Sequence, residues 1–281
     1  MRARIWGCRG SLAAPGPDTV RYGGNTSCVE VILSDGTVVV LDAGTGIRAL
    51  GNHLATAHDG RTIHVLLTHL HMDHLQGLAF FSPLWEAATD IDVYGPRHPT
   101  RSLAERVAGY LSEPLFPIHL SDVPSNPDFH EVGDDEFDVG CARVMSMHVS
   151  HAGPTVGYRI EDNGRSLAYV SDHEPARGVD FAALGTEWIS GFPLCENVDV
   201  LIHDSQYSAE EYTTHVGWGH SSIDHVVHLA NRAKARQLVL YHHDPGHSDD
   251  QLETMHARAC ELWEGDTPPV LAYEGMEIDL S

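Results

Sequence analysis

Lysine is almost missing from this sequence: Lys234 is the only one in 281 residues. Basic residues therefore total 17 against 40 acidic ones, a formal net charge of −23. A field of that sign repels a polyanion, so a nucleic-acid partner is not expected. A small anionic substrate remains compatible, because bound divalent metals can reverse the sign locally. Also missing is any apolar run approaching the roughly 20 residues of a membrane-spanning helix. Met1 to Gly10 holds no signal-peptide core, and a cytoplasmic protein without a membrane partner is the expectation. Cysteine is sparse: Cys8, Cys28, Cys141, Cys195 and Cys260 are five scattered residues with no C-x-x-C among them. That excludes a disulfide framework or a cysteine zinc site, and they read as reduced, buried small hydrophobes. No repeat, low-complexity tract or Gly/Ser-rich linker divides the chain. One domain over residues 1–281 is expected, and a hydrophobic fraction of 42% is ample for its core.

What is present is an alternation of short β-rich runs with helical stretches. Strands are predicted at Ala3–Trp6, Cys28–Leu33, Val38–Asp42, Ile63–Thr68, Ile91–Tyr94, Ala142–Met147, Thr155–Glu161, Ser166–Ser171, Val200–His203 and Gln237–His242. Helices are predicted at Ile47–His58, Thr100–Leu111, Ser221–Ala235 and Asp249–Trp263, the last two with a Ser or Asp cap near the start. Ser34-Asp35-Gly36-Thr37 is a hairpin turn, which argues against a purely parallel sheet. A layered α/β arrangement with mixed sheets follows. The proline-bearing stretch at about 97–138 reads as an inserted helix and loop of the kind that shapes substrate entry.

Histidine is abundant, at 21 residues. After the buried strand ending at Leu67 comes His69-Leu70-His71-Met72-Asp73-His74. On an extended strand end, His69 and His71 point to one side by the period of two. A turn then swings Asp73 and His74 into the same space. Imidazole nitrogen with a carboxylate suits Zn²⁺, and also Mn²⁺ or Fe²⁺.

This H-x-H-x-D-H run resembles the core motif of the metallo-β-lactamase superfamily. The resemblance spans nearly the whole chain and implies a four-layer αββα sandwich with two mixed β-sheets. It carries over His151, in His148-Val149-Ser150-His151-Ala152-Gly153, and Asp172 as a bridging carboxylate. His242 is carried over as the last ligand, with His243 as its alternative. The implied sites are His69, His71 and His151 for one metal, and Asp73, His74 and His242 for the other. Asp172 and a hydroxide nucleophile bridge them. Two divalent ions against two aspartates and a hydroxide leave one net positive charge, which suits an anionic phosphodiester.

Gly7-Cys8-Arg9-Gly10-Ser11 and Tyr22-Gly23-Gly24-Asn25-Thr26-Ser27-Cys28 resemble the phosphodiesterase branch of that superfamily. It contains tRNA 3′-processing endonucleases and some cyclic-nucleotide phosphodiesterases. In Gly217-Trp218-Gly219-His220-Ser221-Ser222, His220 matches the residue that protonates the departing oxygen there, with Asp204 placed to orient it. Asp42 reads as support for the ligands. Its neighbours Gly44-Thr45-Gly46-Ile47-Arg48-Ala49 mimic a dinucleotide loop, but the preceding hairpin spoils that fit. His53, His58, His98, His130 and His256 read as solvated. The lysine-bearing basic arm of the tRNA enzymes is missing. The expected function is hydrolysis of a small phosphodiester such as a cyclic nucleotide. The alternatives are tRNA 3′ processing, lactone or thioester hydrolysis, and a non-catalytic binding module. A homodimer is common in this branch.

Overall fold

The computed structural model describes residues 1–57, 60, 62–179 and 181–280. His58, the expected end of the first helix, lies outside them. In chain order the first strands are β1 (Arg2–Gly7), β2 (Cys28–Ile32), β3 (Val38–Leu41), β4 (Ile63–Leu66), β5 (Ile91–Pro96) and β6 (Asp128–Val132). Then come β7 (Asp135–Val139), β8 (Ala142–His148), β9 (Val156–Asp162), β10 (Arg165–Val170), β11 (Val200–Asp204), β12 (Gln237–Tyr241), β13 (Val270–Leu271) and β14 (Glu277–Asp279). They form two seven-stranded sheets, β14-β1-β2-β3-β4-β5-β6 and β13-β12-β11-β10-β9-β8-β7. Each is mixed: β3 to β6 and β10 to β13 run parallel, and the other pairs are antiparallel. The α-helices are α1 (Ile47–Ala57), α2 (Met72–Leu75), α3 (Leu103–Tyr110), α4 (Phe192–Cys195), α5 (Ala209–His215), α6 (Ile223–Ala233) and α7 (Asp249–Leu262), with short 3-10 turns between elements.

Period-two alternation sorts the strand residues between cores. Val29, Val31, Val39 and Leu41 meet Tyr158, Ile160, Tyr169 and Tyr241 in the layer between the sheets. The neighbours Val38, Val40, Val65 and Leu67 face outward onto Ile47, Leu50 and Leu54 of α1. On the second sheet, Ala168, Leu201, Leu238 and Leu240 pack against Val226, Val227 and Leu229 of α6 and Leu252 of α7. Strands buried on both faces need continuous apolar runs, which is what β3 and β12 carry. The result is the αββα sandwich. The Ser34–Thr37 hairpin forms as expected, with Gly36 at φ 88° and Thr37 N–H donating to Asp35 Oδ1 at 2.8 Å.

Two expectations are corrected. The stretch read as helix and loop also contains β6 and β7, which pair with β5 and β8 as the outermost strands of the two sheets. Their sequences, DFHEV and DEFDV, carry only two apolar residues each because as edges they largely face water, and their charges block pairing with another chain. Of the cysteines, Cys8, Cys28 and Cys195 are buried, but Cys141 and Cys260 are exposed. Cys141 sits in the turn before β8, and Cys260 on the solvent side of α7.

Arg9 is wholly buried and ties the loop after β1 to the loop after β12. Its Nε donates to Gly23 O at 2.8 Å, and Nη1 to Asp244 O at 3.1 Å and His247 O at 2.9 Å. Nη2 lies 3.6 Å from the buried Asp249 carboxylate. Arg9→Met keeps apolar bulk while orphaning three carbonyls and a buried charge. It is expected to cost about 3–5 kcal/mol of stability, read from the urea midpoint at unchanged m-value. Among the described residues no helix is long and apolar enough to cross a membrane.

Candidate metal centre

The ends of the parallel strands converge on one edge of the sandwich, the usual crevice of α/β sheets. Asp42 follows β3, Thr68 and His69 follow β4, Asp172 follows β10, Asp204 ends β11 and His242 follows β12. His151 comes from the loop after β8, and α2 turns Asp73 and His74 inward. Asp42 and His242 have φ of 61° and 59°, left-handed conformations that bend each chain sharply off its strand. Such strain in non-glycine residues persists where surrounding contacts over-determine it.

Among the described residues three groups place one atom per residue within 4.8 Å of the others: two four-residue donor sets, His69, His71, His151 and Asp172, and Asp73, His74, Asp172 and His242, with a third group of Asp204, His220 and His242 beside them. Asp172 belongs to both donor sets. Its Oδ2 lies 3.8 Å from His69 Nε2 and 3.7 Å from His151 Nε2, while Oδ1 lies 3.0 Å from His74 Nε2 and 3.3 Å from His242 Nε2. Asp73 Oδ2 is 3.1 Å from the Nε2 atoms of both His74 and His242. Those two nitrogens stand 3.2 Å apart, as do His71 Nδ1 and His151 Nε2. His243 turns away, with Nε2 2.9 Å from Ala272 O, and burial pushes its pKa down to about 3. None of His53, His98, His130 or His256 joins a cluster.

The donors fit divalent cations on three counts. His69 Nε2 and Asp172 Oδ1 are buried without a hydrogen-bond partner of acceptable geometry. Buried polar atoms are as a rule paired in folded proteins, and these two, unlike the scattered others, belong to one cluster of donors that a ligand would satisfy together. His74 and His242 turn their Nδ1 atoms to Asp42 and Gln206 oxygens, so as neutral rings their Nε2 lone pairs face one another, an arrangement a cation satisfies well. Finally, donors each about 2.0–2.1 Å from a tetrahedral ion lie about 3.3 Å from one another. The observed 3.0–3.3 Å spacings in the second set match that edge.

The opposite ring nitrogens are held from behind, which fixes tautomer and aim. His74 Nδ1 lies 2.8 Å from Asp42 Oδ2, His151 Nδ1 2.8 Å from Gly219 O and His242 Nδ1 3.0 Å from Gln206 Oε1. His69 Nδ1 lies 3.1 Å from Thr68 Oγ1, itself 2.9 Å from Asp42 Oδ2. Asp42 thus supports both sets. Ser11 N–H donates to Asp73 Oδ2 at 2.7 Å. Thr68, Gln206, Ser11 and the Gly219 carbonyl are the partners sequence reading missed. The only local signal was Gln206, close after Asp204 on a buried strand end. Gly44 is explained by close approach, since a Cβ there would lie 2.3 Å from Asp73 O.

Burial lowers the pKa of His69, His71 and His151, leaving neutral rings with free lone pairs. Burial would do the same to His74, but Asp172, Asp73 and Asp42 outweigh it and raise its pKa well above the usual value. Asp73 is lowered: burial opposes ionisation, but the His74 charge and hydrogen bonds from His242 and His74 prevail. A cation entering here displaces a proton from a ring the carboxylates already favour charging.

His220 stands beside both sets, its ring centroid 5.0 Å from that of His151 and 5.1 Å from that of His242. Nδ1 lies 2.8 Å from Asp204 Oδ2. Burial works against its charge, but Asp204 first, then Asp172 and Asp73, push its pKa up to about 9. Divalent cations nearby would pull it back toward neutrality. Asp204 is itself fixed by N–H donors from His173 at 3.0 Å and Gln206 at 2.9 Å.

An αββα sandwich carrying this histidine–aspartate cluster on its strand edges is a metal-dependent hydrolase of the metallo-β-lactamase fold. The chain belongs to the β-lactamase superfamily, whose domain family matches residues 37–243. Ribonuclease Z of Thermococcus sibiricus (strain DSM 12597 / MM 739) is 25% identical over 238 residues, covering 70% of this chain and 74% of that protein. The metallo-β-lactamase fold protein YhfI from Bacillus subtilis superposes with a TM-score of 0.71 at 18% identity, over 99% of this chain and 98% of that one. A diphosphatase of the PhnP family superposes at 0.68 with 17% identity, over 100% and 98% of the two chains. Both solved structures share the fold.

Proposed function

We propose that the protein hydrolyses a small phosphodiester, such as a cyclic nucleotide, at a dinuclear centre. The ligands would be His69, His71 and His151 for one ion and Asp73, His74 and His242 for the other, shared through Asp172. Two divalent cations, most simply zinc, supply Lewis acidity and a water of lowered pKa. The rest of the chemistry belongs to the chain. Asp42, Thr68, Gln206 and Gly219 hold the imidazoles in aim. His220 gives its Nε2 proton to the oxygen that departs as the P–O bond breaks, and Asp204 keeps the proton there until needed.

The observation that carries this reading is the His220–Asp204 pair at 2.8 Å beside the cluster. Acyl substrates of low-pKa leaving group need no such acid, whereas an alkoxide does. The competing reading is tRNA 3′ processing, favoured by the name of the Ribonuclease Z relative. Against it, two of the three arginines of the 97–138 stretch are paired with acids, Arg97 with Asp135 at 3.3 Å and Arg106 with Glu131 at 3.4 Å, and acidic residues outnumber arginines along it. Little positive charge is left to track an RNA backbone.

The test is a hydrolysis panel on zinc- or manganese-replete protein: a 3′,5′-cyclic nucleotide, bis(4-nitrophenyl) phosphate, a precursor tRNA and a lactone. Both phosphodiesters should turn over, with the tRNA and lactone near background. Efficient trimming of the tRNA with the small diesters left intact would overturn the reading in favour of RNA.

A further inference from the structure

Trp218 is 60% exposed, unusual for the largest apolar side chain, and it stands two residues before His220. That spacing keeps its Cα within about 7 Å of the His220 Cα. Its loop is rigidly built. Gly217 and Gly219 both have φ of 87°, which only glycine adopts at no steric cost. Their N–H groups donate to the buried Glu174 carboxylate, Gly217 at 2.8 Å to Oε1 and Gly219 at 3.0 Å to Oε2. Tyr212 OH donates to the same carboxylate at 2.7 Å. The Gly219 carbonyl in turn anchors His151 Nδ1. The indole is the outer end of a run of ring contacts that leads inward to the centre. Trp218 packs edge-on to His215 at 4.7 Å, His215 stacks on Tyr207 at 4.5 Å, and Tyr207 meets the His220 ring at 6.0 Å. The exposed guanidinium of Arg177 lies against Gly217, where an added Cβ would be 2.8 Å from Nη2.

A hydrophobic core does not need this tryptophan, and a solvated loop does not need two left-handed glycines pinned to a buried carboxylate. An aromatic face with a guanidinium next to it, on the loop whose Gly219 carbonyl anchors His151 and whose ring contacts lead to His220, is what a nucleotide's base requires. The geometry points to Trp218 as the platform on which the nucleobase of the substrate stacks, its phosphodiester lying at the metal centre. This rests on the phosphodiesterase reading above and names the substrate class as nucleotides. Trp218 determines specificity and takes no part in bond breaking.

The test compares thymidine 5′-(4-nitrophenyl phosphate) with methyl 4-nitrophenyl phosphate, two diesters with one leaving group. Base stacking on an aromatic side chain is worth about 5- to 150-fold. Trp218→Ala should lower the ratio of kcat/KM values, nucleoside over methyl, by about tenfold, mainly through KM. Trp218→Phe should restore most of it. A second readout needs no turnover: calorimetric binding of AMP and of ribose 5-phosphate to metal-loaded protein. AMP should bind more tightly, and Trp218→Ala should erase that advantage. Pentaadenylate identifies the source of the base. Affinity equal to that of AMP marks a free nucleotide, and tighter binding that also collapses in Trp218→Ala marks a strand end. The proposal is overturned if Trp218→Ala changes both diesters equally or neither, or leaves the AMP preference intact. If the wild-type protein hydrolyses neither diester, the phosphodiesterase reading fails separately, and the AMP ratio still decides the role of Trp218.

Discussion

Asp73→Ala is expected to lower turnover of any phosphodiester substrate by about 10³-fold while the protein stays folded. Asp73 is the one charged donor that belongs to the second set alone, and its Oδ2 faces His74 and His242 at 3.1 Å each. Without it, that set retains two imidazoles and a carboxylate shared with its neighbour. A cation acting as Lewis acid is worth several kcal/mol of charge stabilisation, and each 1.4 kcal/mol or so is tenfold in rate, which gives the figure. The substitution removes the acceptor of the Ser11 N–H and the partner of His74 and His242 at the edge of the sandwich, outside the layer between the sheets, so folding should survive. Two measurements check it. Bound metal per chain, counted by mass spectrometry after loading and desalting, should fall from about two to about one. Far-ultraviolet circular dichroism should not change. Unaltered turnover with one metal lost would show that the second set is not part of the chemistry.

Much of this architecture was legible in the sequence, and the parts that were not share a cause. Strands such as Val38–Leu41 and Gln237–Tyr241 announce themselves because burial on both faces demands unbroken β-branched and aliphatic runs. Asp128–Val132 and Asp135–Val139 do not, since an edge strand draws its identity from the partner it pairs with. The two- and three-residue strands Val270–Leu271 and Glu277–Asp279 are too short to show a period. In the candidate site, motif residues on consecutive positions, His69 to His74, could be grouped by local geometry alone. His151, Asp172 and His242 needed the family resemblance, because loops bring them in from distant strands. The choice between His242 and His243 rests on one backbone angle: φ of 59° at His242 swings its ring to the cluster and leaves its neighbour pointing at Ala272. The backing groups, Thr68 and Gln206 among them, are ordinary polar residues until the fold sets them behind an imidazole. Glu174 is the extreme case, a buried carboxylate whose partners are the N–H groups of Gly217 and Gly219 and the Tyr212 hydroxyl.

His220→Ala should separate phosphodiester from acyl chemistry by its dependence on the leaving group. For a cyclic nucleotide the departing oxygen is an alkoxide, and loss of a positioned general acid costs about 10²–10⁴-fold in kcat. For a 4-nitrophenyl diester the departing phenolate is stable without a proton, so the same variant should lose far less. A Brønsted plot over diesters of graded leaving-group pKa should therefore be steep for the variant and shallow for the parent. Asp204→Asn keeps the outline of the side chain but removes the charge that holds His220 protonated, through the contact at 2.8 Å. It should steepen the same plot by a smaller amount. A purely structural role predicts otherwise. His220 stacks on His242 and lies edge-on to His151, so if it served only to pack those rings, every substrate would suffer in proportion, thioesters included. Parallel plots for parent and variant, with equal losses on thioester and alkyl diester, would remove His220 as the acid and with it the main reason to place this hydrolase among the phosphodiesterases.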